Sequence, residues 1–145
     1  MIPEKHKAFI RETLKELQYA MYLTEWRIDT VYYAEDDENR KGLLAEAHPA
    51  HKYFEIEIGI YPLFFTRTEQ QQREALVHEM CHVYTEPYKD MWERMARGEL
   101  VTKGEEAIIN ERLTTMIERA VTNAYQERLE KITMTPTKKK RKGVK

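Results

Sequence analysis

The chain of 145 residues holds a single cysteine, Cys81, so no internal disulfide can form and a reducing compartment is expected. The opening Met-Ile-Pro-Glu-Lys-His-Lys has no apolar core segment, so a secretory signal is not expected. No run of apolar residues is long enough to span a bilayer. Together these absences lead to an expected cytoplasmic location, away from membranes. No internal repeat is evident. No acid stands among Lys138, Lys139, Lys140, Arg141, Lys142 and Lys145, so the formal net charge of −1 conceals an acidic body, −7 over residues 1–137, and a basic end. The length suits one domain, expected over residues 1–135, with residues 136–145 as a disordered basic tail.

Periodicity sets out the elements. Ile10, Leu14, Leu17 and Met21 recur at helical spacing within residues 4–22. Residues 26–33, with Ile28, Thr30, Val31 and Tyr32, suggest a strand, followed by an acidic turn at 35–39. Leu43–Ala47 suggests a second strand, stopped by Pro49. Residues 53–61 alternate, with Phe54, Ile56, Ile58 and Ile60 on one face and Glu55 and Glu57 on the other, as in a half-buried strand antiparallel to its neighbours. Thr66-x-x-Glu69 and Thr68-x-x-Gln71 both offer capping boxes for a helix to about Tyr84, with Pro87 just beyond its end. Trp92 and Met95 suggest a short helix stopped at Gly98, and a long helix is expected from about Glu105 to Ile132. The class is α+β: a small, mostly antiparallel sheet of three or four strands packed on an N-terminal helix, a central helix and a long C-terminal helix.

The central helix carries His78-Glu79-Met80-Cys81-His82, which spells H-E-x-x-H. On a helix the two histidines are about 40° apart, one above the other, and Glu79 projects roughly 60° from His82. Two imidazoles can then reach one metal ion with a carboxylate beside its open position. The apolar neighbours Leu76, Val77, Met80, Val83 and Tyr84 imply that the helix is buried.

A catalytic zinc site takes three protein ligands and keeps one position for water. No histidine follows His82, which excludes the downstream histidine of metzincins and SprT-like proteases. Among the acids, Glu106 shares a helical face with Ile109, Asn110, Leu113, Ile117, Ala120 and Ala124, all within roughly 60° of it. A carboxylate heading a buried stripe is costly unless paired or metal-bound, which favours Glu106 as third ligand. Its other reading is a first-turn acid complementing the helix dipole. Glu111, Glu105, Glu86 and Asp90 remain alternatives, and Asn110 could orient a ligand from one turn away.

H-E-x-x-H followed by a glutamate on a second helix resembles the gluzincin pattern, and Glu106-Ala-Ile-Ile-Asn110 looks like its E-x-x-x-[ND] element. The strand opening at Trp26-Arg27-Ile28 and the isoleucine-rich strand of Ile56, Ile58 and Ile60 add a likeness to small phage and prophage metallopeptidases. A more distant likeness is to the ImmA/IrrE proteases. The resemblance spans roughly residues 5–125 and departs at Met80-Cys81 and in the basic tail. It implies a zincin-like fold and a zinc metallopeptidase that cleaves a protein or peptide.

In that reading His78, His82 and Glu106 hold one Zn²⁺ with a water, and Glu79 is the general base and then the general acid. Tyr84, Tyr88 and Tyr125 are candidate donors to the tetrahedral intermediate, and the strand at 53–61 is a candidate edge for an extended peptide. His48 and His51 are expected in a plain loop, His6 on an exposed helix turn, and Cys81 as a buried structural thiol. Two other functions stay open: a catalytically silent, peptidase-like binding module, and a protease tethered to nucleic acid, weakly, by its basic tail.

Overall fold

The computed structural model describes residues 2–34, 40 and 42–134, with the backbone alone for 123 and 125–134. Three helices and a three-stranded sheet give the α+β class: α1 (Glu4–Ala20), β1 (Arg27–Tyr32), β2 (Ala45–Ala50), β3 (Glu55–Ile60), α2 (Glu69–Ala96) and α3 (Lys103–Met134). The acidic turn at 35–39 and the basic tail lie outside the described residues.

The alternation holds for the isoleucines of β3, whereas Phe54, expected on the same face, lies just before the strand and is exposed. Ile56, Ile58 and Ile60 are buried against α1 and α2, joined by Ile10, Leu14, Leu76, Met80 and Val83. The sheet order is β1-β3-β2, so β3 is the central strand. It runs antiparallel to β2 but parallel to β1, and the sheet is mixed rather than mostly antiparallel. Alternation reports which face a side chain takes and carries no information on the direction of the neighbouring strand.

Pro49 does not stop β2. It lies within the strand, opposite Ile56. Tyr61 N–H donates to the Leu44 carbonyl directly across the pair, so by strict alternation Glu46 and His48 bond to β3 while Ala45, Ala47 and Pro49 point outward. The missing N–H of Pro49 thus falls on the free edge, where proline is tolerated. A 3₁₀ turn (His51–Tyr53) and Phe54, at φ 52°, close the hairpin from β2 to β3.

Helix α2 opens on the expected capping box: Thr68 Oγ1 accepts from Gln71 N–H, and Gln71 Oε1 accepts from Thr68 N–H. Gln72, buried, donates to the carbonyls of Phe64 and Arg67 and ties the preceding 3₁₀ turn (Pro62–Thr66) to the helix. The helix then runs 28 residues, straight through Pro87, and takes in Trp92 and Met95. Pro87 has no N–H for the Val83 carbonyl one turn back. The His51 imidazole lies near that carbonyl, with its buried Nε2 making no hydrogen bond. Gly98, at φ 77°, terminates the helix.

Tyr61 and Tyr84 anchor the two ends of the core. Tyr61 is 1% exposed, donates to Glu46 at 2.8 Å and accepts from Arg40 at 2.8 Å. Tyr84 donates to the Met21 carbonyl. Burial, aided by Glu46 at Tyr61 and by Cys81 at Tyr84, pushes both phenols up to about 12. In an unfolded chain they ionise near 10. The stability each supplies is therefore complete below pH 10 and lost as pH rises toward 12, about 2–3 kcal/mol per group. Denaturant titrations at pH 9 and pH 11.5 should show a smaller alkaline loss in Tyr61→Phe than in the parent. An equal loss would contradict the burial of that phenol.

Candidate metal centre

The outward row of β2 faces α2, and this packing brings His78, Glu79 and His82 into one group. Their ligand-capable atoms all lie within 4.8 Å of one another. The imidazoles are 5.1 Å apart, centroid to centroid, and nearly perpendicular at 87°. His78 is exposed, His82 half-buried and Glu79 buried, so the pair opens to solvent while the carboxyl faces inward. Two nitrogens on a tetrahedral ion stand about 3.4 Å apart, a closure within reach of side-chain rotation. The group could hold a metal ion.

Glu79 sits 4.0 Å from His82 Nε2. Burial raises its pKa above the ordinary carboxylate value, opposed by the positive charge that His82 and His78 can carry and by the Ala47 N–H. That N–H belongs to the outward row of β2, so the strand edge and the carboxyl face each other directly. Glu46, on the neighbouring position of β2, adds negative charge and raises Glu79 further. Its own carboxylate is held by Tyr61 and Arg40, with His48 Nε2 at 3.5 Å.

No family model, curated protein or solved structure matches the chain. The chemistry of the group therefore stands on its own residues.

Glu106 is not brought into the group. The expected phase of α3 is rotated: Glu105, Ile109, Leu113, Met116 and Ala120 face the body, while Glu106, Asn110 and Ile117 are exposed. Two contacts set the α2–α3 hairpin, Tyr88 Oη to Asn110 Oδ1 at 2.8 Å and Arg94 to Glu105 at 3.2 Å. Glu106 falls between them, so it lies more than about 9 Å beyond His82 along α2. A legible signal points to Glu105 instead. Thr102-Lys103-Gly104-Glu105 is a capping box, with Thr102 N–H donating to the Glu105 carboxylate at 2.9 Å and Glu105 N–H donating to Thr102 Oγ1 at 3.2 Å. That bond and Arg94 hold the Glu105 carboxyl below its ordinary value. In this register Glu106→Gln should keep the metal content of the parent. Loss of metal would show that α3 re-registers along α2 when an ion binds.

The remaining candidates separate by position. Glu111, Glu86 and Asp90 are outside the group among the described residues. Asn110 Oδ1 accepts from Tyr88, which places it more than a turn along α2 from His82, and the Tyr84 hydroxyl donates to the Met21 carbonyl rather than facing the His78–His82 pair. The side chain of Tyr125 is outside the described residues. Cys81 is exposed rather than buried: it lies about 100° around the helix from the core-facing Met80, between Tyr84 and the solvent-facing His78. His48 is a strand residue on the outer face of the sheet, and His51 packs edge-on against Trp26 at 4.9 Å. The candidate peptide edge also moves. Since β3 is paired on both sides, the edge beside the group is β2.

Proposed function

We propose that the chain is a zinc-dependent peptidase in which His78 and His82 hold the ion and Glu79 handles the proton. The observation that carries this reading is the buried Glu79 carboxyl, set between two solvent-facing imidazoles and the outward N–H of Ala47. Imidazole pairs suit zinc among the common divalent metals. An ion there would supply Lewis acidity, lowering the pKa of water to about 7 and polarising a carbonyl. Glu79, with its pKa raised by burial, accepts the proton of the attacking water and returns it to the departing amine. An extended peptide is positioned along β2, where the outward carbonyls of Ala45, Ala47 and Pro49 accept from its N–H groups.

Zinc-loaded protein should cleave members of an unstructured peptide library, lose that activity on chelation and regain it on addition of zinc. His82→Ala should bind no stoichiometric zinc. Retention of zinc in that variant, or cleavage that survives chelation, would overturn the reading. One observation favours a second function, a silent binding module: the group has no third ligand besides Glu79 among the described residues. The nucleic-acid tether rests on the basic tail, outside those residues. No helix among the described residues is long and apolar enough to cross a membrane.

A further inference from the structure

At the opposite edge of the sheet, β1 is paired on one side only among the described residues. Arg27 N–H donates to the Phe54 carbonyl and Tyr33 N–H to that of Ile60, so in this parallel pair the odd-numbered residues bond to β3. The N–H and C=O groups of Ile28, Thr30 and Tyr32 therefore point away from the sheet. Helix α1 lies alongside in the reverse direction: Lys7 sits over the Tyr32 ring at 5.5 Å, and Gln18 donates to the Trp26 carbonyl at 2.6 Å. Between helix and strand runs a groove of about 620 Å³.

The helix wall of this groove carries Lys7, Arg11 and Lys15, spaced four residues apart. Among the described residues Lys7 and Lys15 have no carboxylate partner, and Arg11 has only the exposed Glu4 at 3.7 Å. The one acid lining the groove among the described residues, Asp29, pairs at 2.9 Å with Arg27, which also bridges Glu55 at 3.1 Å, against three cations on the helix wall. Four residues of helix advance about 6 Å. Alternate side chains on an extended strand are about 6.6 Å apart. The cations thus repeat almost in step with every second residue of a strand lying beside β1. Ile28, Thr30 and Tyr32 point their side chains toward the core yet stay half-exposed, as expected where a covering strand is missing.

We propose that this groove takes an extended acidic segment of another polypeptide, added to β1 as a fourth strand with its carboxylates at alternate positions facing Lys7, Arg11 and Lys15. A second copy of the chain pairing through β1 is disfavoured, because it would bring two cationic stripes together. The groove lies across the sheet from the His78–Glu79–His82 group and does not depend on the function proposed for it.

The probe is a blocked octapeptide of alternating glutamate and valine, compared with its lysine–valine counterpart. The acidic peptide should bind the full chain, shift and protect the amides of Ile28, Thr30 and Tyr32 in NMR spectra, and weaken as salt rises. Lys7→Glu/Arg11→Glu/Lys15→Glu, which changes groups on the helix surface, should weaken it at least tenfold. Thr30→Pro removes one outward N–H and should weaken it without altering the salt dependence. Absence of binding, equal binding of the lysine peptide, or an unchanged affinity in the charge-reversed chain would overturn the proposal. Shifts confined to Ala45 and Ala47 would move the docking edge to β2. Tighter binding of a single-stranded oligonucleotide at the same residues would reassign the groove to nucleic acid.

Discussion

Glu79→Gln is expected to keep the metal content of the parent while peptide hydrolysis falls at least about a hundredfold, the usual contribution of a positioned general base. The substitution preserves shape and leaves both imidazoles in place, so metal uptake should survive. It removes the one carboxylate grouped with them among the described residues. Burial makes the carboxyl a better base than an exposed one, and the amide cannot stand in for it. Elemental analysis and single-turnover cleavage by the same preparation separate the two effects. Retained cleavage would remove Glu79 from the chemistry. Loss of metal instead would make the carboxylate a ligand, with His78 and His82 completing a three-donor set.

Ile58→Ala should be the most damaging change away from the metal group. Ile58 is fully buried at the centre of the central strand, between Thr30 of β1 and Ala47 of β2 and in the core that holds Leu76 and Met80. Removing its side chain leaves a cavity that this small core has little means to refill, at a cost of about 2–5 kcal/mol. Against a total of roughly 5–15 kcal/mol, that lowers the melting temperature by on the order of 10 °C. The expected control is Glu57→Ala, one residue earlier on the exposed face, within about 0.5 kcal/mol of the parent. Comparable losses in the two variants would contradict the facing of the sheet. Because Ala47 lies opposite Ile58, the damage should also reach metal affinity.

Much of this arrangement is legible in the sequence, for reasons that are local. The stripe of α1, the alternation of β3, the capping box at Thr68 and the spacing of His78, Glu79 and His82 each involve residues that interact within a few positions. The failures at Pro87 and Pro49 involve partners far apart in sequence. Pro87 reads as a helix stop, yet the burial of Val83 and Tyr84 before it and of Met91 after it, against elements distant in sequence, carries α2 through it. Pro49 reads as a strand stop until the hydrogen-bonding side of β2 is known. The phase of α3 was ambiguous because Ile109 and Leu113 belong to either of two adjacent faces. The Thr102–Glu105 capping box and the reach of Arg94 select between them, and with that selection Glu106 turns to solvent.

The outward row of β2 has a consequence for how copies of the chain treat one another. Of its three residues, Pro49 offers no donor and the Ala47 N–H is turned to Glu79, so the edge presents carbonyls almost without amides. Two such edges cannot zip together, since each offers what the other also needs to give away. A donor-rich strand can still settle there. The edge is open to a guest and closed to aggregation with its own kind.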